Sequence, residues 1–468
     1  MLSTRGLLGL ISGIEFFERF GFYSVQGILI LYLIKVKGYA SQDAYHIFGA
    51  FSALLYGFVG LGGLLGDKVF GPKRTMFLGL FIMLLGYVGL SAGKHDDFFP
   101  ALALVCIGNA LFKANPAALI GHLYQDNKTK LHAAFTLFYM AVNIGALFAL
   151  MIGPLLSSSF NDAYVFASSA VGIFLALILL YVKRKALHSA QMSQIYPVLS
   201  CWQWLLVLLL LLGAWVLISY LLHAYEWVIL GLKILIVAVL MIYIRSALAE
   251  EGVIRRRMLV VLLLMFEAVC FFTLYHQMPT SRNMYAVMHV RPELLGIHFD
   301  PQTFQALNPF WIIACSPILA RLYQNHSWSI YAKFATGMLF CGVSYLILYV
   351  SHFFVDANCH ISGWWMVVSA MFQGLAELLV SALGLAMVAE LVPRAKMGAV
   401  MGMWFLTSAV SGITGAYIAS LSAVPKVASL TVSLNAFANL FCDIGVVTII
   451  FSVLMFASVR VLEKITRD

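Results

Sequence analysis

Long runs of apolar residues make up most of the chain, and short polar segments separate them. A helix that crosses the hydrocarbon core of a bilayer needs about 20 predominantly apolar residues, and these runs approach or exceed that length. We therefore expect fourteen transmembrane helices, joined mostly by short loops. The predicted spans cover residues 6–34, 43–66, 74–92, 98–123, 131–156, 162–182, 201–222, 225–245, 258–280, 302–323, 328–351, 361–391, 396–420 and 436–460.

The seventh and eighth runs differ from the others because Leu, Val, Ile and Trp dominate them and few polar residues interrupt them. Basic segments at 183–185 and 255–257 bracket the pair. We interpret them as two additional helices between two six-helix bundles. The predicted organisation is an all-α membrane protein with an N-terminal bundle over 1–182, a linker with two extra helices over 183–257, and a C-terminal bundle over 258–468.

Composition agrees with this class. The chain is 62% hydrophobic and 10% charged, whereas a soluble domain carries about 25% charged residues. The net charge of +9 does not indicate nucleic-acid binding, because the basic residues lie in short loops and do not cluster on one face. Twenty of the 29 Lys and Arg residues fall in loops on one side of the predicted topology and six on the other. Since cytoplasmic loops carry the excess of Lys and Arg, both termini are expected in the cytoplasm.

Several kinds of site are not indicated by the sequence. The seven cysteines form no CxxC pair and show no Cys/His spacing suited to zinc. No GxSxG, HExxH or Walker-type motif is present. We therefore expect no metal site, no structural disulfide, no cofactor and no enzymatic activity. The first apolar run bears charged residues and is long, so it is interpreted as a retained helix and not as a cleaved signal peptide.

A stripe of charged residues lies inside that first run. Glu15, Glu18, Arg19 and Phe22 fall on one face of a helix, at i, i+3, i+4 and i+7. Each charge at mid-membrane costs about 2.5–3.5 kcal/mol, so this face is expected to look into a hydrated interior. The functional interpretation is a path for protons and solute. The alternative is a structural ion pair that fixes the first helix to a neighbour.

Two further ionisable residues belong to the same hypothesis. Lys113 lies within the fourth span and needs a counter-ion, for which Glu15 or Glu18 is the candidate. Protonation of that carboxylate frees Lys113 and Arg19 to attract a substrate anion, which converts a proton into a conformational signal. Glu377 in the other half offers a negative charge suited to an α-ammonium group. We expect these groups to share one hydrated chamber that fits a zwitterion.

The segment after the second span, Gly62-Gly-Leu-Leu-Gly-Asp67-Lys-Val-Phe-Gly71-Pro-Lys-Arg74, resembles the loop signature of the major facilitator superfamily. The resemblance implies that Asp67 and Arg74 control opening and closing and do not touch substrate.

The charged stripe narrows this resemblance. Glu15-x-x-Glu18-Arg19-Phe20-x-Phe22-Tyr23 resembles the Glu-x-x-Glu-Arg-Phe-x-Tyr-Tyr signature of the proton-dependent oligopeptide transporter family. Other segments similar to that family's motifs are Gly108–Pro116, Phe138–Gly145, Gln305–Trp311, Gln373–Ser381 and Gly402–Phe405. Two plain helices between the halves are also usual in its bacterial members.

The resemblance implies roles for individual residues. Proton coupling falls to Glu15, Glu18, Arg19 and Lys113. The alternative for Asn143 is an interhelical hydrogen bond, and for Tyr56, Ser381 and Trp404 it is plain packing. Substrate binding is expected from Arg19, Tyr23, Tyr56, Lys113, Asn143, His276, Gln277, Asn308, Glu377, Ser381 and Trp404.

The seventh family helix departs most from the pattern. Family members often carry a glutamate just before a glutamine there, whereas this chain has His276 before Gln277. A shift of one residue places Gln277 itself at the acid's position. His titrates near neutral pH and Gln does not, and the alternative for His276 is an ordinary polar cavity residue. Glu267 lies nearly three turns earlier and does not take the acid's place in register. This departure resembles the atypical bacterial members.

The expected function is a proton-coupled symporter that imports di- and tripeptides across a bacterial inner membrane by alternating access. The alternative is a major-facilitator carrier for another small solute, such as an anion, an amino acid conjugate or a drug. The expected partners are small peptides, protons and lipid, with no nucleic acid, and a monomer is expected.

Overall fold

The computed structural model describes residues 3–93, 98–124, 128–190, 200–325, 329–381, 387, 391–393, 396–425 and 428–467. Helices form nearly all of this part of the chain. In order, they are α1 (Thr4–Lys35), α2 (Ser41–Gly57), α3 (Val59–Leu65), α4 (Pro72–Ala92), α5 (Phe98–Lys113), α6 (Asn115–Leu123), α7 (Lys128–Ser159), α8 (Asp162–Val182), α9 (Arg184–Ala190), α10 (Cys201–His223), α11 (Tyr225–Leu248), α12 (Gly252–Tyr275), α13 (Ser281–His289), α14 (Leu307–Asn325), α15 (Ile330–Ser351), α16 (Trp364–Val380), α17 (Met397–Ser420) and α18 (Leu430–Arg467).

Three short helical turns and one hairpin complete the described elements. Gly66–Phe70 is a π-helical turn, and Pro301–Ala306 and His352–Phe354 are 3₁₀-helical. Strands β1 (Glu293–Leu294) and β2 (Ile297–His298) pair antiparallel, with Leu294 opposite Ile297. The two residues between them have positive φ angles, 54° at Leu295 and 78° at Gly296, which a two-residue hairpin turn of this kind requires.

A helix lies at each predicted span. Among the described residues, eleven helical segments are long and apolar enough to cross a membrane. Helices α14, α16 and α17 occupy the other three predicted positions. The last part of the predicted span 361–391 includes residues 382–386 and 388–390, which lie outside the described residues. The many-helix membrane fold is therefore confirmed, and the count of fourteen crossings stays a prediction.

The predicted span 43–66 divides into α2 and α3. Two further spans are interrupted beside a proline. The span 98–123 consists of α5 and α6, which meet at Ala114, next to Pro116 in the first turn of α6. The span 258–280 continues past α12 through turns that contain Pro279, before α13 begins at Ser281. Proline has no N–H for the helical hydrogen bond, and its ring clashes with the preceding turn. Both interruptions lie beside candidate site residues, Lys113 in the first case and Gln277 in the second.

The first compact unit comprises Met1–Tyr32 and Ala50–Glu226. Within it, α4 packs closely on α5 because small residues face each other. A Cβ atom added at Gly79 would lie 2.7 Å from the carbonyl oxygen of Gly108, so any side chain there would force the helices apart. This packing positions the face of α5 that carries Asn109 and Lys113.

The second compact unit comprises Leu33–Gly49 and Trp227–Asp468. Its core includes α15, which packs against both α16 and α18. The loop after α15 is held by an ion pair in which the Arg291 guanidinium donates to Asp356 Oδ2 at 2.6 Å and 3.1 Å. Hydrogen bonds from the backbone N–H of His360 and from Arg291 lower the pKa of the Asp356 carboxyl to about 2.

The two additional helices, α10 and α11, are apolar and mostly exposed. Only 11% of the most apolar window of each is buried, which suits helices that face lipid. Trp215 of α10 donates from its indole N–H to the Pro100 carbonyl at 2.9 Å, so α10 is anchored to α5. One division between the compact units falls after Glu226, inside the predicted linker, whereas Leu33–Gly49 of the predicted N-terminal bundle belong to the second unit. The boundaries at 183 and 257 stay predictions.

Candidate functional site

The charged stripe of α1 forms a buried network of ion pairs. Arg19 binds the carboxylate of Glu18 with both ends of its guanidinium, Nε to Oε2 at 2.5 Å and Nη2 to Oε1 at 2.6 Å. Its Nε also lies 3.7 Å from Oε1 of Glu15, one turn earlier. The side chains of all three residues are at most 1% exposed. A two-point guanidinium–carboxylate contact of this kind is among the strongest polar interactions in proteins.

Lys113 completes the network from α5. Its ammonium group donates to Oε1 of Glu15 at 3.3 Å, which identifies Glu15, and not Glu18, as its contact. The Lys113 side chain is 24% exposed, so this end of the network is open while the Glu18–Arg19 pair is sealed.

Asn109 is a member of the network that the sequence analysis missed. Its Oδ1 accepts from Arg19 Nη2 at 3.1 Å, and its Nδ2 donates to the Leu55 carbonyl at 3.2 Å. The amide thus links α1, α2 and α5 within the first unit. A signal was available in the sequence, since Asn109 lies four residues before Lys113 and shares its helix face.

The formal charges of the network cancel, since two carboxylates face two cations. Such balance is needed because an unpaired charge in a medium of low dielectric constant is costly. The hydrogen bonds are unevenly distributed, however. Both oxygens of Glu18 accept from Arg19, whereas Oε2 of Glu15 has no hydrogen-bond partner among the described residues. Adding a proton to Glu15 therefore disrupts fewer contacts than adding one to Glu18.

Aromatic rings cover the Arg19 guanidinium. Its central carbon lies 4.7 Å from the ring centroid of Phe22 and 5.9 Å from that of Tyr23. Phe22, which stands where the family motif has a tyrosine, therefore supplies a cation–π contact that needs no hydroxyl group.

Tyr23 and Tyr56, two further candidate site residues, are both partly exposed. Asn143 of α7 donates from Nδ2 to the Tyr139 carbonyl of its own helix at 2.9 Å.

In the second unit, Glu377 of α16 and Asn308 of α14 form a buried pair. Asn308 Nδ2 donates to Glu377 Oε2 at 2.8 Å. Asn308 Oδ1 is buried without a hydrogen-bond partner among the described residues. Ser381, one turn after Glu377, ends α16, and its backbone N–H donates to the Glu377 carbonyl at 2.8 Å. The neutral Asn308 amide thus orients the Glu377 carboxylate.

Gln277 and His276 lie where the long helix breaks, and Gln277 makes contacts of a structural kind. Its Nε2 donates to the carbonyls of Thr273 at 3.1 Å and Gly415 at 2.9 Å, and its Oε1 accepts from the Ser281 hydroxyl at 2.7 Å. The His276 side chain is buried, and its Nδ1 has no hydrogen-bond partner among the described residues. Trp404 of α17 lies edge-on to Phe272, with ring centroids 6.1 Å apart.

Asp67 and Arg74 lie on the connection between α3 and α4, and both are exposed. Asp67 belongs to the π-helical turn, and Arg74 to the first turn of α4. Neither residue forms an ion pair within the part of the chain that the structure describes. The same part contains no group of three or more His, Cys, Asp or Glu side chains that could hold a metal ion.

These features define a polytopic, all-helical membrane protein with buried ionisable groups in each of two units, which is the class of solute transporters. Residues 73–438 match the PTR2 family, described as the POT family. The chain belongs to this family, so the resemblance found in the sequence motifs and the predicted major facilitator fold are both confirmed. The family is one of transporters, not of enzymes.

Curated relatives and solved structures agree with this assignment. The dipeptide and tripeptide permease A of Pectobacterium carotovorum is 40% identical over 98% of this chain and 92% of that protein. The permease of the same name from Escherichia coli is 39% identical over 98% of this chain and 93% of that protein. A bacterial homologue of the human drug peptide transporters PepT1 and PepT2 is 29% identical with a TM-score of 0.88, over 99% of this chain and all of that one. Tetrameric PepTSo2 is 30% identical with a TM-score of 0.89 over the same shares.

Proposed function

We propose that the chain is a proton-coupled symporter that imports di- and tripeptides across a bacterial inner membrane, with both termini in the cytoplasm. The observation that carries the proposal is the charge-balanced network of Glu15, Glu18, Arg19 and Lys113, together with the identity to dipeptide and tripeptide permeases. The proton is the coupling ion and no cofactor takes part.

The network suits coupling because it contains one loosely held carboxylate. Glu15 is held at Oε1 by Lys113, 3.3 Å away, and more distantly by Arg19, and its other oxygen makes no hydrogen bond within the described residues. A proton on Glu15 removes the charge that balances Lys113. The uncompensated ammonium then attracts an anion, and a peptide's terminal carboxylate is such an anion. In the second unit, Glu377 is proposed to bind the peptide's α-ammonium, with Asn308 holding its Oε2.

Other residues are proposed in supporting roles. Tyr23, Tyr56, Asn143, His276, Gln277, Ser381 and Trp404 are proposed to line or shape the peptide's surroundings. Asp67 and Arg74 are proposed to control opening and closing, with an N-terminal bundle over 1–182, a linker over 183–257 and a C-terminal bundle over 258–468 as the moving parts. We also propose a monomer, which light scattering of the purified protein tests against the tetramers described for PepTSo2.

The function is tested by uptake of a labelled dipeptide into proteoliposomes under an inward proton gradient. We expect accumulation that collapses when the gradient is dissipated, and its loss in Lys113→Ala. Lys233→Ala is the matched control, because Lys233 is an exposed lysine on α11. Absence of uptake across a broad dipeptide panel, by protein shown to be folded, contradicts the proposal. Normal uptake by Lys113→Ala removes Lys113 from it.

A further inference from the structure

A second buried arginine lies in the second unit, and its hydrogen-bond partners among the described residues are neutral. Arg282 of α13 is 3% exposed. Its Nη1 donates to the Ser344 hydroxyl at 3.3 Å and its Nη2 to the Ser369 hydroxyl at 3.1 Å. The ring of Tyr345 lies 5.6 Å from the guanidinium carbon. No carboxylate of the described residues forms an ion pair with Arg282.

A small cleft lies beside Arg282. Arg282 lines it together with Asn283, Gln305 and Asn308, and its other walls are mostly apolar. The room in it for the centres of water-sized groups is about 20 Å³, enough for one or two such groups. The buried Oδ1 of Asn308, which has no hydrogen-bond partner among the described residues, belongs to the same side chain that donates to Glu377. The cleft is thus lined by Arg282, whose positive charge suits an anionic group, and by Asn308, whose spare oxygen can accept a hydrogen bond from an ammonium group at Glu377.

A buried charge is normally paired, and a guanidinium is suited in shape and charge to a carboxylate. A cleft of this size admits the carboxylate end of a side chain and is too small for a whole peptide. We propose that this cleft is a subsite for the side-chain carboxylate of a peptide whose first residue is acidic. The assignment to the first residue follows from Asn308, which lines the cleft and binds Glu377. The α-ammonium and the side-chain carboxylate of one Asp or Glu are only a few bonds apart. This inference rests on the proposed function and adds a substrate preference to it.

The test compares peptides that differ in one charge. Uptake into proteoliposomes is measured for Glu-Ala, its neutral isostere Gln-Ala, and Ala-Glu. We expect Arg282→Gln to raise the KM for Glu-Ala by about tenfold or more, while the KM values for Gln-Ala and Ala-Glu change less than about twofold. Arg282→Lys keeps the charge and is expected to restore part of the affinity for Glu-Ala. Arg291→Gln, which alters an exposed arginine in the same unit, is the matched control and is expected to leave all three peptides unaffected.

Several outcomes overturn the inference. One is an equal change for Glu-Ala and Gln-Ala, and another is an equal change for Glu-Ala and Ala-Glu. Inhibition of Glu-Ala uptake by inorganic phosphate, relieved in Arg282→Gln, identifies a general anion site and also overturns it. If Arg282→Gln does not fold, the Arg282→Lys variant decides, since an unchanged ratio of the Glu-Ala and Gln-Ala KM values contradicts the proposal. Failure of the wild-type protein to take up Gln-Ala counts instead against the proposed function.

Discussion

Arg19 binds Glu18, its immediate neighbour in sequence, through two hydrogen bonds of 2.5 and 2.6 Å. Side chains at i and i+1 of a helix do not normally face each other, so this contact requires both side chains to bend towards the same buried region. Asn109 holds Arg19 there from a second helix. The pair therefore has a fixed geometry, and changes to the shape of either partner are expected to be as damaging as changes to its charge.

Arg19→Lys tests that geometry. Lysine keeps the positive charge but presents a single ammonium group, so it loses the two-point contact with Glu18 and the bond to Asn109. We expect dipeptide uptake to fall about tenfold or more, because hydrogen bonds to charged groups are worth about 1.5–3 kcal/mol each. Uptake rates in proteoliposomes measure the effect. Unimpaired uptake by a folded Arg19→Lys protein means that charge alone suffices at this position.

The two carboxylates of the network are predicted to respond differently to neutralisation. Glu15→Gln imitates a proton on the loosely held acid, so gradient-driven accumulation is lost while counterflow exchange stays close to that of the wild type. Glu18→Gln also abolishes accumulation, but it leaves Arg19 without its principal partner. Counterflow is therefore expected to be measurable and weaker than in Glu15→Gln.

The comparison needs a control for the substitution itself, and Glu226→Gln on the additional helix α11 supplies it. Counterflow and accumulation should both survive in that variant. If Glu18→Gln still accumulates peptide against its gradient, Glu18 is not an obligatory member of the coupling network. Accumulation by Glu15→Gln likewise excludes Glu15 as the proton acceptor.

The positions of the helices could be predicted from the sequence because the bilayer imposes a length and an apolar composition that are visible in single runs. Their interruptions were not predicted, although Pro116 and Pro279 are visible, since a run stays apolar across a break. The charged face of α1 was likewise predictable from spacing alone. The acid that Lys113 contacts could not be predicted from the sequence, because it depends on the distance between α1 and α5.

Arg282 shows the limit of sequence reasoning most clearly. It is one of the six Lys and Arg residues that the predicted topology places in loops on the second side, and this was wrong, because the residue is buried in α13. The serines that bind it lie 62 and 87 residues further along the chain. The spacing of residues in the local sequence cannot predict contacts between positions so far apart. Its burial depends on how α15 and α16 pack against the segment that follows Pro279.

Gln277→Ala is predicted to lower stability. The amide bridges the break between α12 and α13 and reaches the Gly415 carbonyl of α17. Its removal leaves the Ser281 hydroxyl without its acceptor and the carbonyls of Thr273 and Gly415 without this donor. We expect a loss of about 1–3 kcal/mol, measured as a lower thermal midpoint in detergent. Gln42→Ala, which changes an exposed glutamine in the first turn of α2, is the control, and an equal drop in both variants contradicts a special role for Gln277.

His289 is predicted to make the stability of the second unit depend on pH. It lies beyond α12, buried between the Cys359 carbonyl at 3.2 Å from Nδ1 and the Ser433 hydroxyl at 3.0 Å from Nε2. A carbonyl only accepts, so Nδ1 carries the proton and Nε2 accepts from Ser433. Burial lowers the pKa of His289 to about 4. Above the ordinary histidine pKa of about 6.5, His289 is neutral in both the folded and the unfolded state, so its contribution to stability is at its maximum.

Between about pH 6.5 and 4, the unfolded state binds a proton at this position and the folded state does not, so stability falls with pH. The linkage predicts a loss of about 2 kcal/mol at pH 5 relative to pH 7.5, seen as a lower thermal midpoint. His289→Asn does not titrate, so its pH dependence should be flatter even though its stability at pH 7.5 is lower. His298→Asn, which changes an exposed histidine of β2, should keep the wild-type slope. If the wild type and His289→Asn lose stability equally on acidification, the proton that destabilises the fold binds elsewhere.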